Sequence, residues 1–93
     1  MRGFSAEQLL AVADEYCAFH GCHVRSFAAL AASAAVPGAR LHGVLVFDSV
    51  EAAAAALAET IRALQPLSGA DSSSAANAGF ADVAAEVYRR WAE

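Results

Sequence analysis

The sequence predicts an all-α domain, a small bundle of about four helices, with a short β flap at 41–47 as the one option outside that class. Three observations carry this. Apolar residues recur at helical spacing in four separate stretches. Serine or acidic residues stand where three of those stretches begin, and Gly21, Pro37 and Pro66 stand where three of them end. Alanine, the strongest helix former, supplies 26 of the 93 residues.

The elements follow in order. Ser5-Ala6-Glu7-Gln8 fits a capping box, with Ser5 as N-cap and Gln8 at N3. Leu9, Leu10, Ala13, Tyr16 and Cys17 continue it, and Gly21 can take the left-handed conformation that closes a helix. The first helix is therefore placed near 6–20. Ser26 caps a second, near 27–35, with Phe27, Leu30, Ala31 and Ala34 as its apolar face. Val36-Pro37-Gly38 stops it. Leu41, Val44, Val46 and Phe47 are β-prone and flank Gly43, which suits a strand or hairpin lying on the helices. Asp48 or Ser49 caps the third helix, and Glu51 suits its positive end. Val50, Ala54, Leu57, Ile61 and Leu64 form its stripe, and Pro66 ends it. Residues 65–75 read as a loop. Phe80, Val83, Ala84, Val87 and Trp91 give a fourth helix over about 77–92, with Asp82, Glu86 and Arg90 on its exposed side.

Composition narrows the function classes. The length suits a single domain over 1–93. Only 28 of the 54 apolar residues are larger than alanine, so the core is short of bulk. No apolar run approaches the roughly 18 residues of a membrane span, and Met1-Arg2-Gly3-Phe4 offers no apolar leader, so a cytoplasmic protein without membrane insertion is expected. Ten acidic residues face six arginines and no lysine, for a net charge of −4, and the arginines are scattered. A nucleic-acid binder concentrates positive charge on one face, so no nucleic-acid partner is expected.

Few residues promise chemistry. Cys17-Ala18-Phe19-His20-Gly21-Cys22-His23 puts four soft ligands in seven residues. Structural zinc sites usually draw two ligands from each of two separated segments, so the spacing favours a core Cys17 with His20, Cys22 and His23 at the helix end, and no metal. Cys17 and Cys22 can pair only if the helix ends early, and a cytosolic setting argues against a disulfide. His42 lacks a nucleophile or carboxylate placed beside it by sequence. No phosphate-binding glycine loop is present, and no cofactor is expected.

The order of these elements resembles the Doc toxins of the Fic superfamily. Ser5-Ala6-Glu7-Gln8-Leu9-Leu10 resembles their opening, and Val24-Arg25-Ser26-Phe27-Ala28-Ala29-Leu30 their second helix, with Ala31 to Pro37 as its alanine-rich end. Leu41-His42-Gly43 resembles the flap, Phe47 to Glu51 the next cap, and Ala52 to Leu64 the helix before the active-site loop. The likeness covers about residues 4–75 and implies a small Fic/Doc-like helical bundle. In that family the next segment is the Fic motif, whose His is the general base, whose acidic residue holds Mg²⁺, and whose glycine, Asn, Lys and Arg bind phosphates at a helix N-terminus. Such transfer needs a base, a metal and positive charge on the phosphates.

Here the motif is degenerate. Gln65 stands for the base, Pro66 is kept, Leu67 replaces Phe, Gly69 stands for the metal ligand and Ala70 for the glycine, Asp71 replaces Asn, and Ser72 and Ser73 replace the two cations. The chain also ends one helix later, where the family usually continues. The resemblance thus implies a pseudoenzyme acting by protein binding, borne by a phage or mobile element, that inhibits a bacterial host protein of helical or coiled-coil type. Candidate binding residues are Tyr88, Arg89 and Trp91, which combine aromatic and arginine character, and Leu41, Val44 and Phe47 of the flap. On periodicity Trp91 is better suited to a place closing the core than to a binding surface. The alternatives are a residual nucleotide-dependent transferase with His42 as base, and an antidote forming mixed complexes with an active Doc toxin. A homodimer is also open, since an exposed alanine-rich helix allows close packing.

Overall fold

Each helix starts at a serine whose hydroxyl takes the place of a missing helical acceptor. The computed structural model describes residues 4–69 and 72–92. Helix α1 spans Ala6–His20, and the full capping box forms: Ser5 Oγ accepts from the Gln8 N–H at 3.0 Å, and Gln8 Oε1 accepts from the Ser5 N–H at 2.8 Å. Gly21 closes it with φ 66°, a conformation glycine adopts without a Cβ clash. A short strand β1, Cys22–Val24, follows. Ser26 caps α2, Phe27–Ala35, and Ser49 caps α3, Val50–Leu64, each accepting from an N–H three residues on at 3.1 Å. Ser72 Oγ likewise accepts from the Ala75 N–H in the first turn of α4, Ser73–Ala92.

Between α2 and α3 lies the flap. Strands β2, Arg40–Leu41, and β3, Val44–Leu45, pair antiparallel about the two-residue turn His42-Gly43. Both turn residues have positive φ, 53° and 81°, as a type I′ hairpin requires. The Arg40 guanidinium donates to the Gly43 carbonyl at 2.9 Å, tying the tip to its first strand.

The fold is thus mostly helical, four helices with a short β flap, and it adds one ribbon the sequence reading leaves out. Residues 67–69, expected as loop, form strand β4, Leu67–Gly69, antiparallel to β1 with Leu67 opposite Val24 and Gly69 opposite Cys22. The physical reason is distant in sequence: Leu67 is fully buried, its strand lies against β1, and its N–H and carbonyl are both satisfied by Asn77 of α4. α4 also begins at Ser73, ahead of the expected 77.

The core is layered between α3 and α4, the most extensive pairing in the molecule, with α1 and α2 against it. Leu9, Leu30, Leu57, Ile61, Leu67, Phe80 and Tyr88 are fully buried. Between them lie Ala53, Ala54 and Ala58 from α3 and Ala81, Ala84 and Ala85 from α4. Small side chains on both sides let the helix backbones approach closely. Two helical faces differ from expectation. On α2, Ser33 is buried beside Leu30 and Ala34, while Phe27 is exposed; the Ser33 hydroxyl is satisfied by donating to the Ala29 carbonyl at 2.9 Å. On α4, the buried face turns toward Ala81, Ala85 and Tyr88, leaving Val83 exposed.

Asn77 is the polar residue this core depends on. Its Oδ1 accepts from the Leu67 N–H at 3.0 Å, and its Nδ2 donates to the Leu67 carbonyl at 2.9 Å and to the Ser73 carbonyl at 2.7 Å. Removing the amide strands buried backbone groups, each at a cost of about 1–3 kcal/mol. Asn77→Ala is therefore expected to lower the urea midpoint by an amount equivalent to about 3 kcal/mol, with the slope unchanged. A loss below about 0.5 kcal/mol, the size typical of a surface substitution, contradicts the assignment.

Candidate functional site

The segment from Gln65 to Ser73 is built into the scaffold. Gln65 is the left-handed C-cap of α3, with φ 49° and ψ 66°. Its carbonyl accepts from the Arg25 guanidinium, Nε at 3.1 Å and also Nη2, and Nη2 donates to the Leu64 carbonyl at 3.2 Å. A cation is well placed there, against the negative end of a helix. The Pro66 carbonyl accepts two backbone N–H groups, from Arg25 at 2.7 Å and Ser26 at 3.1 Å, joining the end of α3 to the start of α2. The Gln65 side-chain amide donates to Ser74 Oγ at 3.3 Å. Gly69 is sterically required: a Cβ there would stand 2.7 Å from the Ser72 carbonyl oxygen and 2.9 Å from the Ala76 Cβ. Ala70 and Asp71 lie outside the described residues. Ser72 spends its hydroxyl on the cap of α4. Gln65, Pro66, Leu67, Gly69 and Ser72 thus hold elements together. Ser73 opens α4 and gives its carbonyl to Asn77. Arg25 and Asn77, which do the holding, are not singled out by the sequence reading; the signal available for the second is an asparagine among alanines at the start of the fourth helix.

The flap presents an apolar surface. Leu41 is 66% exposed, Val44 69% and Val46 54%. Phe47, half-buried, leads from the flap into a shallow groove of about 500 Å³ along α3, whose other walls are Val36, Ala56, Glu59, Thr60, Ala63 and Leu64. The expected flap residues Leu41, Val44 and Phe47 therefore lie on one exposed segment and its adjoining groove.

The C-terminal trio is not such a surface. Tyr88 is a correction: it is fully buried, because α4 turns that face onto α3, and it packs edge-on against Phe4 with ring centroids 5.6 Å apart. Trp91 is half-buried and packs on the same Phe4 at 5.7 Å, closing the end of the core. Arg89 spans the two helices through Glu51, at 3.0 Å, and Glu86, at 3.4 Å. The exposure of Val83 instead opens a second apolar cleft of about 360 Å³ between α1 and α4, lined by Val12, Tyr16, Phe19, Val83 and Val87 with Glu15 and His20 at its edge. Sequence periodicity assigns Val83 and Val87 to the core; Val87 does pack against it, half-buried, and Val83 is the one left exposed.

At the end of α1, Cys17 is buried and Cys22 half-buried. The His20 ring stacks on Tyr16 with centroids 4.2 Å apart, and His23 is exposed. Among the described residues no group of three or more His, Cys, Asp or Glu is placed to hold a metal ion. His42 sits exposed at the flap tip. Among the described residues no helix is long and apolar enough to cross a membrane. The chain matches no family model, no curated protein and no solved structure.

Burial raises the Cys17 thiol from an ordinary 9.0 to about 12, helped by its hydrogen bonding with Cys22 and by the nearby Cys22 and Asp14. Burial also raises Tyr88 and Tyr16 above the usual phenol value. Between the ordinary and the raised values the unfolded chain has lost protons that the folded chain keeps, so stability falls as pH rises. Under reducing conditions the urea midpoint is expected to hold to about pH 9 and then decline toward pH 12. Cys17→Ala should remove the part that starts first and leave the tyrosine part above pH 10.0. A midpoint that stays level up to about pH 11 contradicts this linkage.

Proposed function

We propose that this chain is a catalytically inactive, Doc-like protein-binding domain that occupies a helical protein of a bacterial host. The observation that carries the reading is the flap: in a chain short of large apolar residues, three of them stand exposed on one hairpin beside an apolar groove. Such a patch on a small soluble domain marks an interaction surface. The groove is lined by the small residues Ala56, Thr60 and Ala63 together with the larger Phe47, Val36 and Leu64. That shape suits the apolar ridge of an amphipathic helix. Glu59 at the groove and the net charge of −4 favour a basic flank on the incoming helix. The loss of catalysis is supported by the roles the degenerate motif has taken up. Gln65 cannot serve as a base near neutral pH, and its carbonyl is committed to Arg25. The helix end that binds phosphate in the resembled family carries serine here and no cation. Growth inhibition then follows from stoichiometric occupancy of the partner and not from modifying it.

The test is capture from a bacterial lysate with the purified protein, followed by titration against the captured partner and against its helical segment alone. The expected result is a defined partner whose isolated helix competes for binding, with affinity reduced at least tenfold by Leu41→Asp or Val44→Asp, while the thermal midpoint changes little because both sites are exposed. Phe19→Ser, in the α1–α4 cleft, should leave binding intact. Loss with Phe19→Ser and retention in the flap variants places the interface elsewhere and refutes the flap assignment. Saturable binding of ATP or GTP with Mg²⁺ refutes the inactive reading and favours a transferase.

A further inference from the structure

Cys17 and Cys22 stand apart from the flap, and their arrangement carries a chemistry independent of the binding reading. α1 runs its full length to His20, yet the left-handed turn at Gly21 reverses the chain so that Cys22 comes back over the last helical turn. The Gly21 N–H donates to the Cys17 carbonyl at 2.9 Å, which fixes that reversal. The two Sγ atoms lie 2.9 Å apart. A disulfide bond measures about 2.05 Å, so closing one requires less than about 1 Å of further approach. An early end to the helix, the condition the sequence suggested for such pairing, is not needed.

We propose that Cys17 and Cys22 form a thiol–disulfide exchange site that closes reversibly into an intramolecular disulfide. The co-reactant is an external disulfide, RSSR, of a small thiol. Cys22, the more exposed sulfur, reacts first: it releases its proton, and the thiolate attacks one sulfur of RSSR, breaking that S–S bond and expelling RS⁻. The product is the mixed disulfide of Cys22. Cys17 then gives up its proton and attacks the Cys22 sulfur, forming the Cys17–Cys22 bond and expelling the second RS⁻. Two electrons pass from the protein thiols to the external disulfide, and the two protons released end on two RSH molecules. Burial decides the order, because the Cys17 sulfur is shielded from a bulky reagent and held as a neutral thiol. The bond joins α1 to β1, and β1 pairs with the strand that carries Leu67, so closure reinforces the junction on which that ribbon hangs.

The test exposes the reduced protein to buffers of graded reduced-to-oxidised glutathione ratio, quenches with acid, alkylates and measures intact mass. Wild type is expected to convert to a monomer about 2 Da lighter that takes up no alkylating agent, and dithiothreitol should restore it. Cys17→Ala, lacking the resolving sulfur, should instead accumulate the glutathione adduct on Cys22, about 305 Da heavier. Cys22→Ser, a mild change at a half-buried site, should show neither product. A wild-type protein that stops at the glutathione adduct, links into dimers, or keeps two free thiols at every ratio overturns the proposal.

Discussion

Leu67 is gripped on every side: its side chain is fully buried, its N–H and carbonyl are both bonded to the Asn77 amide, and its strand pairs with β1. One residue earlier, the Pro66 carbonyl takes the two N–H groups that begin the α2 entry, and the Gln65 carbonyl takes the Arg25 guanidinium. Three consecutive residues therefore join the exit of α1, the entry of α2, the end of α3 and the inner face of α4. The positions of the helices relative to one another depend on this junction more than on any pair of side chains.

The alanine content explains why a polar junction matters. A buried alanine removes far less apolar area from water than a leucine, and apolar area is the main source of stability. The buried core pairs alanines on α3 and α4 with a handful of larger residues, so its nonpolar contacts are close but individually small. A buried asparagine with its amide fully used fixes register where interchangeable alanines would permit sliding. Against that background the flap is informative. Leu41, Val44 and Val46 are withheld from a core that has few residues of their size, and a partner helix would return their surface to an apolar setting.

Local features of the fold were legible in the sequence and distant ones were not. Ser5, Ser26 and Ser49 act within three residues of themselves, so the helix starts could be read directly, and Gly21 and the flap turn follow from the same short-range chemistry. β4 could not be read, because a three-residue strand is defined by β1 some 45 residues away and by Asn77 across the core. The α4 face was misjudged for a related reason. Val83 and Val87 carry a stronger apolar signal than Ala81 and Ala85, but close packing against α3 selects the small side chains and turns Tyr88 inward with them. The flap hairpin itself was legible from β-prone side chains around Gly43, whereas the burial of Tyr88 was not, because residue type says nothing about which way the helix is turned.

Amide hydrogen exchange followed residue by residue tests the junction most directly. If Leu67 and its neighbours hold the helices in place, the N–H groups of Leu67, Arg25 and Ser26 exchange as slowly as those in the middle of α3 and α4, opening only with global unfolding. Exchange of these three as fast as that of the flap amides would show that 65–69 is an ordinary loop and that the helices are positioned by something else.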